Sequence, residues 1–235
     1  VRRLLNISAV VVLVLAVLLA VADRVGAHYA EQAIGERVSA QLASRQITSS
    51  PPEVTVKGYP FLTQVLRGNY TEIRVNLRDV KTGNLPIPQL DVRAYDVRAS
   101  LDGILNGTEK VTATRVDGVG TLSYASLVEA SGIRDLTMSG DGNVLRISGN
   151  VPVAGLLTGA ARVTVIDGRV RIQVTELTAA NANASTNAVL NQYKSRLGAA
   201  TFSLPQMPFQ LQLSSVTPAT TGLEIGMTAT EVPLN

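Results

Sequence analysis

Few side chains in this sequence are of the types that do chemistry. The single imidazole is His28, and there is no cysteine. A thiol nucleophile, a disulfide and a zinc–thiolate centre are therefore excluded. Any metal would have to be held by carboxylates alone, because His28 stands beside a greasy N-terminal run. Asp135, Asp141 and Asp167 each sit near a turn, where an Asp side chain ordinarily bonds nearby backbone, and their spacing selects no acid–base pair. G-x-S-x-G, the phosphate-cradling G-x-x-x-x-G-K-[ST] and H-E-x-x-H are all missing. Residues 118–132, "GVGTLSYASLVEASG", carry a Gly-x-Gly without the third glycine of a dinucleotide site or a surrounding βαβ unit. The expectation is a protein that is not an enzyme, with no cofactor and no metal ligand. A hydrolase or transferase acting on cell-wall glycans would need carboxylates converging on a polar cleft, and no cluster offers them.

Charge excludes a second class. The net charge of +3 includes Arg2 and Arg3; without them 19 basic residues face 18 acidic ones. No basic cluster interleaved with aromatics appears, so the sequence predicts no nucleic-acid partner.

What remains is apolar patterning. Residues 57–68 read "KGYPFLTQVLRG". Phe61 and Val65 are four apart, as are Leu62 and Leu66, so the spacing predicts a short amphipathic helix with these four on one side. Pro60 suits its first position and Gly68 its C-terminal cap. Such a knob is either a plug of ordinary core or the lip of a site that holds something greasy.

The elements around it follow from periodicity. Arg2 and Arg3 precede an apolar run from Ile7 to Ala22. That is the layout of an export signal, and Ala20-Val21-Ala22 fits a cleavage site. The run is also long enough to span a bilayer uncleaved. Residues 1–22 are therefore a signal peptide or a membrane anchor, and both remain open. In either case Arg2 and Arg3 stay cytoplasmic and residues 23–235 are extracytoplasmic, in the periplasm or cell envelope. From Arg24 to Gln46, the residues Ala27, Ala30, Ile34, Val38 and Leu42 form one helical stripe, which Pro51 and Pro52 end.

Beyond this the chain reads as strands. Residues 53–58, 70–80 and 89–101 are such segments, the last with an apolar phase that slips between Ala94 and Tyr95, as at a bulge. Arg162–Leu177 is a hairpin, with Asp167-Gly168 suited to a type I′ turn. Phe209, Leu211 and Leu213 alternate, as do Leu223, Ile225, Met227 and Ala229. Two more helices are expected, Ser123–Ala130 ending at Gly132 and Ser185–Gly198. One-faced alternation means antiparallel sheet with helices gathered on one side, so the fold class is α+β. No clean domain boundary appears after the leader.

The order "VKGYPFLTQVLRGNY", after a leader and an amphipathic helix, resembles the LmeA-like phospholipid-binding proteins of actinobacteria. The matching positions are Gly58, Pro60, Phe61, Leu62, Gln64, Gly68 and Tyr70. "IPQLDVRAYDVRA", "LPQMPFQLQL" and "GLEIGMTA" are similar to the same family, and the order of elements agrees over residues 24–232. The resemblance implies an extracytoplasmic lipid-binding protein with a role in envelope maintenance. It also implies a long curved sheet wrapped around the N-terminal helix, as in the tubular lipid-binding superfamily. It carries no catalytic residues.

These readings combine into one expectation. Ile34, Val38 and Leu42 of the first helix and the sheet line a groove for acyl chains, with Tyr59, Phe61, Leu62, Val65 and Leu66 at its mouth or end wall. A phospholipid and a membrane are the expected partners. The rival is a structural or interaction module with a filled core that presents its sheet to another envelope protein.

Overall fold

In the computed structural model, the structure describes residues 2–82, 85–100, 111–131, 135–151, 155–166, 168–180, 187, 190–192, 195, 201–202 and 211–234. Helix α1 runs unbroken from Arg2 to Ser44. The apolar run and the amphipathic stripe are thus one helix, and its segment Asn6–Ser44 is long and apolar enough to cross a membrane. The large side chains from Ile7 to Val21 are exposed, as a lipid-facing or unpartnered helix requires. The helix closes in a tight turn: Ile47 N–H donates to the Leu42 carbonyl at 3.0 Å, and Gln46 adopts φ 59°.

Strand β1 (Glu53–Lys57), helix α2 (Phe61–Arg67), strands β2 (Asn69–Thr82), β3 (Leu85–Arg98) and β4 (Thr112–Ser123) and helix α3 (Tyr124–Ser131) follow in order. Then come β5 (Leu136–Asp141), β6 (Val144–Val151), β7 (Gly155–Ile166), β8 (Arg169–Ala179), β9 (Thr201–Phe202), β10 (Gln212–Pro218) and β11 (Gly222–Pro233). The strands form two sheets, a six-stranded one in the order β1-β2-β3-β4-β11-β10 and a five-stranded one in the order β5-β6-β7-β8-β9. Every described pairing is antiparallel. The α+β, antiparallel class is as the alternating pattern requires.

The hairpin at residues 162–177 has its two-residue loop, since Ile166 pairs with Arg169. Gly168 takes φ 68°; Asp167 lies outside the described residues, as do Phe209 and the terminator Gly132. Of the helix expected over Ser185–Gly198, residues 187, 190–192 and 195 are described, and all are helical.

The six-stranded sheet is one-faced. Its outer side carries polar ladders: Arg78 bonds Glu53 at 3.0 Å, Thr228 bonds Asp117 at 2.9 Å, and Arg115 stacks 4.5 Å over the Tyr95 ring. Its inner side carries two buried clusters. The first joins Leu122, Leu223, Ile225 and Met227 to Leu145, Ile147, Val163 and Ile172 of the second sheet. The second joins Ala94, Val97, Val116 and Val232 to Ala27 of α1 and Phe61 of α2.

The phase slip in β3 is not local. Tyr70, Val97, Ala113 and Val232 stand in one row across four strands, and Ile73, Ala94, Val116 and Ala229 in another. In each strand the two inward residues are three apart instead of two. All four strands therefore carry the same two-residue irregularity, in register, and Asp96 and Glu231 within it take φ 49° and 52°. A similar step separates Leu77 from Val80 and Leu90 from Ile87, with Asp79 at φ 53°. Because all strands step together, the apolar face stays continuous along the sheet.

Candidate functional site

Helix α2 is held by a set of specific contacts. Pro60 lies just outside it as the N-cap, not at its first helical position, and Gly68 closes it at φ 62° with its N–H on the Gln64 and Val65 carbonyls. Gln64 is buried; its Nε2 donates to the Lys57 carbonyl at 3.2 Å and its Oε1 accepts from Thr71 N–H at 2.9 Å. One side chain thus ties the end of β1, the helix and the start of β2. Gly58 is at φ 100°, and a Cβ there would meet Gln64 Nε2 at 2.7 Å. Phe61 is only 6% exposed. Its ring lies 6.2 Å from that of Tyr70 and 3.5 Å from where a Cβ on Gly26 would stand. Asp23 of α1, 2% exposed, accepts from Leu62 N–H at 2.8 Å, placing a carboxylate at the positive end of the short helix.

The residues singled out from the sequence therefore separate. Phe61 is core. Leu62 and Val65 are half-buried and pack against the cluster that contains it. Leu66 is 84% exposed and Tyr59 64% exposed. Leu66 departs from the expected common side because α1 crosses the first turn of α2, where Leu62 meets it, and leaves the last turn uncovered.

Farther along, α1 lies on β1. Glu31 Oε1 accepts from Val56 N–H at 2.9 Å, and a Cβ on Gly35 would stand 3.6 Å from the Pro52 carbonyl oxygen and 3.7 Å from a Val54 methyl. Ile34 is half-buried and packs on the α1–sheet cluster. Val38 and Leu42 continue its stripe and are also half-buried.

Between the two buried clusters runs a seam that the sequence did not single out. Val75, Val92, Leu90 and Ile87 face inward here, all half-buried. Leu211 packs against both clusters. The seam's floor on β4 is Gly118 and Gly120, paired with Val92 and Leu90 on one side and with Met227 and Ile225 on the other. A Cβ on Gly118 would touch Met227 Cε at 3.4 Å, and one on Gly120 would touch Leu90 Cδ1 at 3.5 Å. The signal for these two was present: glycine inside a strand marks a close approach or a missing side chain.

Among the described residues, Tyr70 is the ionisable group on the inner face of β1, β2, β3, β4 and β11, and burial pushes its phenol above its ordinary value. Burial does the same to Tyr124, whose hydroxyl donates to the Ala219 carbonyl at 2.7 Å. Among the described residues no group of three or more His, Cys, Asp or Glu is placed to hold a metal. The arrangement of the described residues suits apolar contact.

No curated protein and no solved structure matches the chain. The family model for LmeA-like phospholipid-binding proteins matches residues 21–228, which take in α1 from the end of its apolar run, the α2 clamp, the seam and β11 as far as Thr228. The chain belongs to the LmeA-like phospholipid-binding family.

Proposed function

We propose that this protein is an extracytoplasmic, non-enzymatic phospholipid holder of the cell envelope, with residues 1–22 as its signal or membrane anchor and residues 23–235 as the lipid-binding domain. Acyl chains lie against the half-buried inner face of the six-stranded sheet, flanked by Ile34, Val38 and Leu42 of α1. The headgroup stays toward water. Leu62 and Val65 form the end wall, with Tyr59 and Leu66 outside it, and Phe61 supports the wall from within. The observation that carries this reading is the seam: Val75, Val92, Leu90 and Ile87 remain partly open between two fully buried clusters, in a chain of a phospholipid-binding family. Each methylene that enters contributes about 0.8 kcal/mol, so a partial acyl chain supplies useful affinity without any charged contact. Holding lipid in this way would support envelope maintenance.

The test is extraction and mass spectrometry of lipid from the purified full chain, followed by uptake from labelled phospholipid vesicles. Co-purifying phospholipid, and uptake that falls when Gly120 is changed to Val, support the groove. A protein that is lipid-free and takes up none defeats it, and leaves the rival envelope scaffold with a filled interior.

A further inference from the structure

The outer side of α2 and the loop before it bear features that a lipid groove does not need. Tyr59 and Leu66 are 64% and 84% exposed, in a chain with only six Tyr. Lys57, Arg67 and Arg24 are exposed around them. Arg24 stacks 5.5 Å over the Tyr59 ring, and neither Lys57 nor Arg67 is in an ion pair among the described residues. Of the neighbouring acids, Asp23 is buried on Leu62 N–H and Glu31 is engaged by Val56 N–H, while Glu72, which faces Lys57 across β1 and β2, is ion-paired with Arg74. This surface lies beside Asp23 and Arg24, the first residues after the apolar run Ile7–Ala22, so α2 sits at the level where α1 would leave a bilayer.

We propose that this surface is a membrane foot: Tyr59 and Leu66 enter the interfacial layer of the bilayer that α1 crosses, and Arg24, Lys57 and Arg67 bind its anionic headgroups. Amphipathic aromatic rings settle at headgroup depth, and a positive rim around a small apolar tip is attracted by anionic lipid. The partner is the bilayer surface itself, not a lipid held in the groove. The foot rests on the reading of Ile7–Ala22 as a membrane segment. Its consequence is orientation, since a helix and a foot together fix the domain at two points.

The chain has no Trp, so Tyr59→Trp and Leu66→Trp each introduce a single reporter. The full chain is reconstituted in phosphatidylcholine vesicles containing phosphatidylglycerol, with brominated lipid as contact quencher. Ile166→Trp, on β7 of the second sheet, is the control. Quenching at positions 59 and 66 but not at 166 is expected. Adding Lys57→Glu and Arg67→Glu to the Leu66→Trp chain should relieve the quenching at 66, each lost cation weakening surface contact about fivefold. Equal fluorescence at 59, 66 and 166 with and without quencher overturns the foot. Lipid uptake by the same samples reads the groove separately, and resistance of the full chain to extraction from the vesicles reads the anchor. The foot can thus fail while both of those stand.

Discussion

The carboxylate of Asp23 meets the backbone N–H of Leu62 at 2.8 Å, joining the membrane-proximal turn of α1 to the start of α2. Its second oxygen is buried with no hydrogen-bond partner among the described residues. The contact supplies an anion to a helix start whose own N-cap, Pro60, makes no side-chain bond. Asp23→Ala should lower stability by about 1–2 kcal/mol, as for loss of a helix cap. Asp23→Asn, which keeps an acceptor, should lose less. Denaturant titration of the three chains in one detergent checks the order.

Gly58 and Gly142 distinguish two costs of a positive φ. Both lie in that region, at 100° and 59°, but a Cβ on Gly142 meets nothing within 4 Å while one on Gly58 runs into Gln64. Gly142→Ala should cost about 1 kcal/mol from backbone preference. Gly58→Ala should cost clearly more, because it also displaces the amide that bridges Lys57 and Thr71. Thermal melts that rank the two equally would show that the Gln64 bridge contributes nothing.

Phe61 and Leu66 lie on the same helix in opposite surroundings. Phe61→Ala should destabilise by about 3–5 kcal/mol through the cavity it leaves. Leu66→Ala should stay within about 0.5 kcal/mol, as for an exposed position. Phe61→Asp should unfold the domain, since an unpaired charge would be buried beside Tyr70. Circular dichroism during urea unfolding reads all three.

Alkaline pH should weaken the fold through Tyr70. Burial raises its pKa above the ordinary 10.0, so the folded state holds the proton more tightly than the unfolded chain does. That contribution is fully present below pH 10 and is lost as pH rises through the raised folded value. Tyr70→Phe keeps the ring against Phe61 and removes the titrating group, so its stability should fall less steeply above pH 10. Melting temperatures across that range, compared with wild type, give the slope.

Much of this was legible from periodicity. Alternation in β2, β3, β8 and β11 gave the one-faced antiparallel sheets, and the spacing of Ala27, Ala30, Ile34, Val38 and Leu42 gave the stripe of α1. The short helix at 61–67 and its Gly68 cap followed from local spacing as well. Other features depend on distant pairings and were out of reach. Leu66 looks equivalent to Leu62 on a helical wheel, and only the place where α1 crosses α2 separates them. Gln64 reads as a surface residue until β1 and β2 bring the Lys57 carbonyl and the Thr71 N–H to its two ends. The seam depended on knowing that Gly118 and Gly120 stand opposite Val92 and Leu90, a register that no local pattern contains.

The matched steps across β2, β3, β4 and β11 make chain length a shared property of the sheet. Deleting Asp96 alone, with β3 held in register up to Tyr95, would bring Arg98 to the place where Val97 now sits beside Tyr70 and Ala113, and would invert every residue beyond it on that strand only. Single-residue insertions and deletions near this row are therefore tolerable only as coordinated sets, and an engineer who wished to lengthen the greasy surface would have to edit four strands at once.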